Sequence, residues 1–203
     1  MSFETPNDLP VPQEKIEENL IHQQIAVIES IPTGVARRAE VVLVYLGKKP
    51  ACEMYIPKKE DAPESMKKLE SIGLHTAITK EDEKGVSVTV GVAQSEEILE
   101  ELKHTKANSE HRRYGELMGF PATAIDAFLE EKGAEKLPFE DEQKMRENLP
   151  QVLDGFRFSK DHKDEELVVL KDWMKTITQH APELIDDLYK PEDAKKFKEN
   201  LAQ

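Results

Sequence analysis

The sequence predicts an α+β fold: an antiparallel sheet of two β-hairpins packed with helices, followed by a C-terminal helical annex. Three observations predict it. Val86, Val88, Val90 and Val92 alternate with Ser87, Thr89 and Gly91, the period of two that marks a strand with one buried face. Ile16, Leu20, Val27, Ile28 and Ile31 recur at near-helical spacing ahead of Pro32 and Gly34. Beyond Leu137 the chain becomes strongly charged, and Leu167, Leu170, Trp173, Met174 and Ile177 form an apolar stripe at helical intervals.

The elements follow in order. Residues 1–12, polar and carrying Pro6, Pro10 and Pro12, read as a flexible N-terminal arm, and a first helix is expected over 13–31. The valine-rich run 40–46, the turn Gly47-Lys48-Lys49-Pro50 and the stretch 51–56 read as a first hairpin. In its second arm Cys52, Met54 and Ile56 share a face, which makes the lone thiol a packing residue. Pro63 opens a short helix through Met66, Leu69 and Ile72, and Gly73 stops it. Residues 74–79 and 86–92 form the second hairpin, with the Ser87, Thr89 and Gly91 face wet or covered by something small. Ser95 caps the next helix, and Glu96 and Glu97 suit the positive end of its dipole. Residues 161–166 open the striped helix, and Pro182 and Pro191 start two further short helices. The chain is thereby divided into an arm (1–12), an α+β core domain (13–136) and the helical annex (137–203).

Charge and motif content narrow the function classes. With 41 acidic and 28 basic residues the formal net charge is −13, which repels polyanions, and the basic pairs are scattered along the chain. General nucleic-acid binding and membrane association are therefore not expected. The apolar run 41–46 is far short of the ~20 residues that cross a bilayer. A single cysteine and the lack of a basic-then-apolar leader fit a reducing, cytoplasmic setting. The glycine-rich phosphate loop, the dinucleotide fingerprint, the metalloprotease histidine pair and the serine elbow are all missing, so no cofactor is expected. His104 and His111 would lie ~10.5 Å apart along one helix, too far to share a zinc ion, and no metal is expected either.

The most informative segment is 109–131, two short helical patterns hinged at Gly119-Phe120-Pro121, with Gly119 as a left-handed stop and Pro121 starting the second helix. His111, Tyr114, Gly115 and Met118 share one face of the first helix, so His111 is expected to point toward packed structure, and Gly115 admits a neighbouring backbone. Ala124, Ile125, Phe128 and Leu129 form the buried side of the second helix, with Asp126 and Glu130 pointing outward.

The string His111-x-x-Tyr114-Gly115-x-x-Met118-Gly119-Phe120-Pro121-x-Thr123-Ala124-Ile125-x-Ala127-Phe128 resembles a segment of small uncharacterised archaeal and bacterial proteins, patterned as glycine, aromatic, proline and a small pair. Some members of that family carry cysteines at the small pair. Thr123 and Ala124 stand there in this chain, so thiol or metal chemistry tied to those cysteines has no counterpart. The resemblance implies no activity and marks the segment as the one to inspect.

Free backbone N–H groups at the start of the second helix could hold an anion, with His111, Arg112, Arg113, Tyr114 and Thr123 as the candidate ligand-binding residues. The competing view of the same residues is a helix–turn–helix corner in which Arg112 and Arg113 pair with Glu116 or solvent. The expected function is thus a cytoplasmic binding protein for a small anionic ligand. The alternative is an acidic adaptor that meets a protein partner, or a second copy, through the Trp173 stripe. Enzymatic action with His111 as acid or base would require Glu116 or Asp126 nearby.

Overall fold

The computed structural model describes residues 13–146 and 156–188. The chain is α+β, with a three-stranded antiparallel sheet and helices on both of its faces. Helix α1 (Gln13–Glu29) ends ahead of Pro32 as expected. Helix α2 (Val35–Tyr45) stands where the first strand was predicted, and this is the main correction to the fold. Its residues 39–44 are all buried, so the valine run carries no amphipathic period. A short run with no wet face does not distinguish a buried helix from a buried strand.

What was read as a hairpin turn is the helix stop. Gly47 takes φ +75°, the Lys48 N–H donates to the Leu43 carbonyl at 2.8 Å and the Gly47 N–H to that of Val44 at 3.1 Å. This is the paired closure of a Schellman end, which needs a left-handed residue.

Strand β1 (Ala51–Ile56) therefore lacks the partner assigned to it and pairs antiparallel with β3 (Val88–Ala93). Between them lie a 3-10 turn, helix α3 (Ala62–Ser71), with Pro63 in its first turn and Gly73 after its end, and strand β2 (His75–Glu81). The β2–β3 hairpin is present as predicted. Its loop is closed by the Asp82 carboxylate, which accepts from the backbone N–H groups of Val86 (2.6 Å) and Ser87 (2.8 Å). Strand order is β1-β3-β2.

Each sheet face has its own apolar cluster. Cys52, Met54, Ile56, Val88, Val90 and Val92 point into the larger one, shared with α1, α2 and α3, and the buried thiol is a packing group as expected. Ala51 and Ala93 point the other way, under α4 (Glu96–Ala107), whose Leu99 and Leu102 seat over Gly91. That face is closed by a helix rather than wet. Ser95 caps α4 by accepting from the Ile98 N–H at 3.3 Å.

The chain continues through α5 (His111–Leu117), α6 (Ala122–Leu129), α7 (Phe139–Arg146), α8 (Lys163–His180) and α9 (Pro182–Leu188). The stripe of α8 docks inward. Leu170, Trp173, Met174 and Ile177 share the larger cluster with α1, α2 and the sheet, and Trp173 is only 3 % exposed. Self-association or partner binding through the Trp173 stripe is therefore corrected, because its apolar surface is already buried within the chain. Pro182 begins α9 as expected, while the arm at 1–12 and the helix expected at Pro191 lie outside the described residues. Among the described residues no helix is long and apolar enough to cross a membrane.

At Gly91 both a sheet side chain and the α4 leucines come close to the strand backbone. A Cβ there would lie 2.8 Å from Thr79 Cγ2 and 3.1 Å from Leu102 Cδ2. Gly91→Ala is expected to lower unfolding stability by about 1–3 kcal/mol through overpacking, read as a reduced denaturant midpoint with unchanged slope; an unaltered midpoint would show that α4 is not seated on the sheet as described.

Candidate functional site

The hinge is built as the sequence predicts. Gly119 takes φ +73°, its N–H donates to the Glu116 carbonyl at 2.9 Å and the Phe120 N–H reaches the Gly115 carbonyl at 2.9 Å, so α5 ends in a second Schellman closure. Pro121, with ψ 140°, is the N-cap of α6 and turns the chain back. Helices α5 and α6 then pack closely because Gly115 has no side chain: a Cβ there would fall 2.9 Å from Ile125 Cγ1. Between the two helices and the returning segment at 156–157 lies a cavity of about 260 Å³, lined by His111, Tyr114, Gly115, Phe120, Ala124, Ile125, Phe128, Phe156 and Arg157.

Of the residues named from sequence, His111 and Tyr114 line this cavity, whereas Arg112 and Arg113 face a separate shallow depression beside Glu116 and Glu131, and Thr123 another beside Ser159 and His162. Arg112 pairs with Asp126 and, at 2.5 Å, with Glu131. Arg113 is held by both oxygens of Glu101 (2.6 and 2.8 Å) and by Glu116 at 2.8 Å. These hydrogen bonds keep the Asp126 and Glu101 carboxyls below the usual carboxylate range.

The Thr123 hydroxyl donates to Glu166 at 2.7 Å. The other oxygen of that buried carboxylate accepts from the Ser159 N–H at 2.8 Å. The Thr123 hydroxyl is thus already given to a carboxylate of the protein itself. The expected anion site is corrected in its side chains: Thr123 is bound to Glu166 of α8, and the Arg112 and Arg113 guanidinium groups are committed to other acids. His111 is exposed rather than packed inward, though it remains on the cavity wall. Neither Glu116 nor Asp126 is free to serve it as a dyad partner, since each is bound to an arginine.

Tyr114 leads to a polar cluster that sequence reasoning missed. Its hydroxyl donates to Glu53 of β1 at 2.9 Å, and Glu53 also receives Lys106 at 2.6 Å and the Thr79 hydroxyl at 2.7 Å. Burial and the adjacent Glu53 charge raise the Tyr114 phenol, so it stays protonated as a donor. For Glu53, burial acts to raise the pKa, and the bonds and charge of Lys106, with Thr79 and Tyr114, overcome it and hold the group below its ordinary 4.5.

A second missed cluster lies behind Phe120. Lys49 is 1 % exposed, and its ammonium sits 3.4 Å from Glu40, which is 5 % exposed and takes Arg37 at 2.6 Å. The rings of Trp173 and Phe120 cover that ammonium, with centroids 4.9 and 5.6 Å away. Phe156, which lines the cavity, stands 5.6 Å from Phe120 and 6.3 Å edge-on from Trp173. A signal for the first of these groups was present in the sequence, since Glu40 is a lone acid abutting an apolar run. Lys49, beside Lys48 in an apparent turn, offered none.

The fold and site define an α+β protein with an aromatic-walled cavity at a helix hinge. No protein-family model, no curated protein and no solved structure matches the chain. Among the described residues, no group of three or more histidine, cysteine or acidic side chains is arranged to hold a metal ion.

Because the folded-state pKa of Glu53 is depressed, its stabilisation is complete above pH 4.5 and is lost as pH falls through the lower folded value. Glu53→Gln is expected to cost about 1–3 kcal/mol at neutral pH, with the deficit shrinking below pH 4.5. Paired urea unfolding curves across that range measure it, and a deficit independent of pH would contradict the assignment.

Proposed function

We propose that the protein binds a small, largely apolar organic molecule in the cavity beside the Gly119–Pro121 hinge. The observation that carries this is the cavity itself: about 260 Å³ walled by Phe120, Phe128, Phe156, Ala124 and Ile125, with His111, Tyr114 and Arg157 as its polar groups. An apolar cavity of about 150 Å³ suffices for benzene, so this one has room for a ring with a short substituent. Its rim includes Phe128, an aromatic 53 % exposed whose ring lies under the Lys136 ammonium at 5.4 Å. Exposed aromatic surface beside a concave apolar site favours ligand capture.

The location is the hinge that the sequence singles out, with a different means of recognition. Shape and apolar contact replace an amide cradle. Arg157 Nε donates to Glu142 at 2.5 Å, which holds its side chain at the wall. The single cysteine, buried and without a thiol partner among the described residues, supports a reducing cytoplasmic setting.

Neutral aromatic probes such as indole and 3-phenylpropanol, at about 100 times their Kd, are expected to raise Tm by about 5 °C or more. Phe128→Ala is expected to weaken binding about tenfold with the fold intact, and Ala124→Leu, which fills the space, to abolish it. Thermal shift and calorimetric titration read both effects. Absence of any shift with ring-sized probes would refute the cavity as a binding site.

A further inference from the structure

We propose that the ligand of this cavity is an organic acid, whose anionic end pairs with the concealed Lys49 ammonium when Phe120 turns aside. The inference rests on the cavity being a binding site and adds the chemical class of what it takes.

Three observations carry it. First, Lys49, Glu40 and Arg37 set two cations against one carboxylate, and the closer contact is to Arg37, at 2.6 Å against 3.4 Å. Lys49, almost wholly removed from water, therefore has a weak hold on its only carboxylate partner among the described residues. A buried ammonium with three N–H donors and one long acceptor contact gains strongly from a further anion.

Second, the ring that covers the ammonium on one side also lines the cavity. Phe120 lies 5.6 Å from Lys49 Nζ and belongs to the cavity wall, so the same ring borders both the ligand space and the charge.

Third, Phe120 stands at the margin of the packed interior. It follows Gly119 in the hinge, is only part-buried, and is held by apolar packing against both clusters and by the Phe156 ring at 5.6 Å. Trp173, 3 % exposed and 4.9 Å away, remains as the fixed wall on the other side. An acid seated with its ring against Phe128 at the rim and its carboxylate inward would exchange the Phe120 face for a carboxylate at Lys49, a charge-assisted contact in a dry site. No covalent step is involved.

The probes are 3-phenylpropionate and its neutral counterpart 3-phenylpropanol, titrated calorimetrically into wild type, Lys49→Met and Arg157→Gln. Wild type is expected to prefer the acid by about tenfold or more. Lys49→Met should bind the two probes alike while retaining the alcohol. If Lys49→Met does not fold, the Lys49 Cε–Hε resonance of the wild-type protein decides alone: it should move with 3-phenylpropionate and not with 3-phenylpropanol, and a resonance unmoved by the acid overturns the proposal. Equal binding of the two probes to wild type, or a preference lost in Arg157→Gln and kept in Lys49→Met, also overturns it while leaving the cavity as a binding site. Failure of both probes to bind wild type would remove the underlying function as well.

Discussion

The ammonium of Lys49, closed between Trp173 and Phe120 and paired with Glu40, is the interaction on which the arrangement of this molecule depends. It joins four parts of the chain: Glu40 on α2, the turn after α2, the hinge before α6 and the stripe of α8. Burying an unpaired ammonium is prohibitive, and its partial compensation by one carboxylate and two ring faces requires all four to be in place together. Replacing such a group with an apolar side chain often leaves a fold as stable or more so, so its presence points to a use beyond holding the core together.

The hinge acquires its role from that constraint. The Schellman closure at Gly119 sets Phe120 over Lys49, and Gly115 lets α6 approach until Ile125 meets α5. The residual space between these helices and Phe156 is the cavity. Around it, Arg112, Arg113 and Asp126 form ion pairs with one another's neighbours on the outer surface. Exposed pairs of this kind contribute little to stability individually, and here they fix the orientation of α5 and α6. The conspicuous arginines are ion-paired, and the buried polar groups of the molecule lie on the sheet, on α2 and in the turn that follows it.

Much of the local structure was legible in the sequence because its cause is local. Gly119 and Pro121 punctuate the hinge whatever surrounds them, Ser95 caps α4 through its own hydroxyl, and the alternation of Val88, Val90 and Val92 declares a strand with one face in a core. Residues 40–46 failed for a reason equally physical. A helix enclosed on all sides presents no polar face, and β-branched residues within it mimic a buried strand. The candidate site was half legible: the hinge was, the partners of its polar groups were not. Whether Arg112 is free or bound depends on Asp126 and Glu131, and whether the Thr123 hydroxyl is free depends on Glu166. Those partners are 14, 19 and 43 residues away, and no spacing rule reaches them.

The central claim, that the space enclosed by α5, α6 and Phe156 receives a ligand, is tested most directly by amide and methyl chemical-shift mapping of the folded chain titrated with 3-phenylpropionate. The account predicts saturable shifts concentrated at Gly115, Phe120, Ile125 and Phe156, with the Ile125 methyls moving most. Shifts confined to the outer surface around Arg112 and Arg113, with Ile125 and Phe156 unmoved, would contradict it.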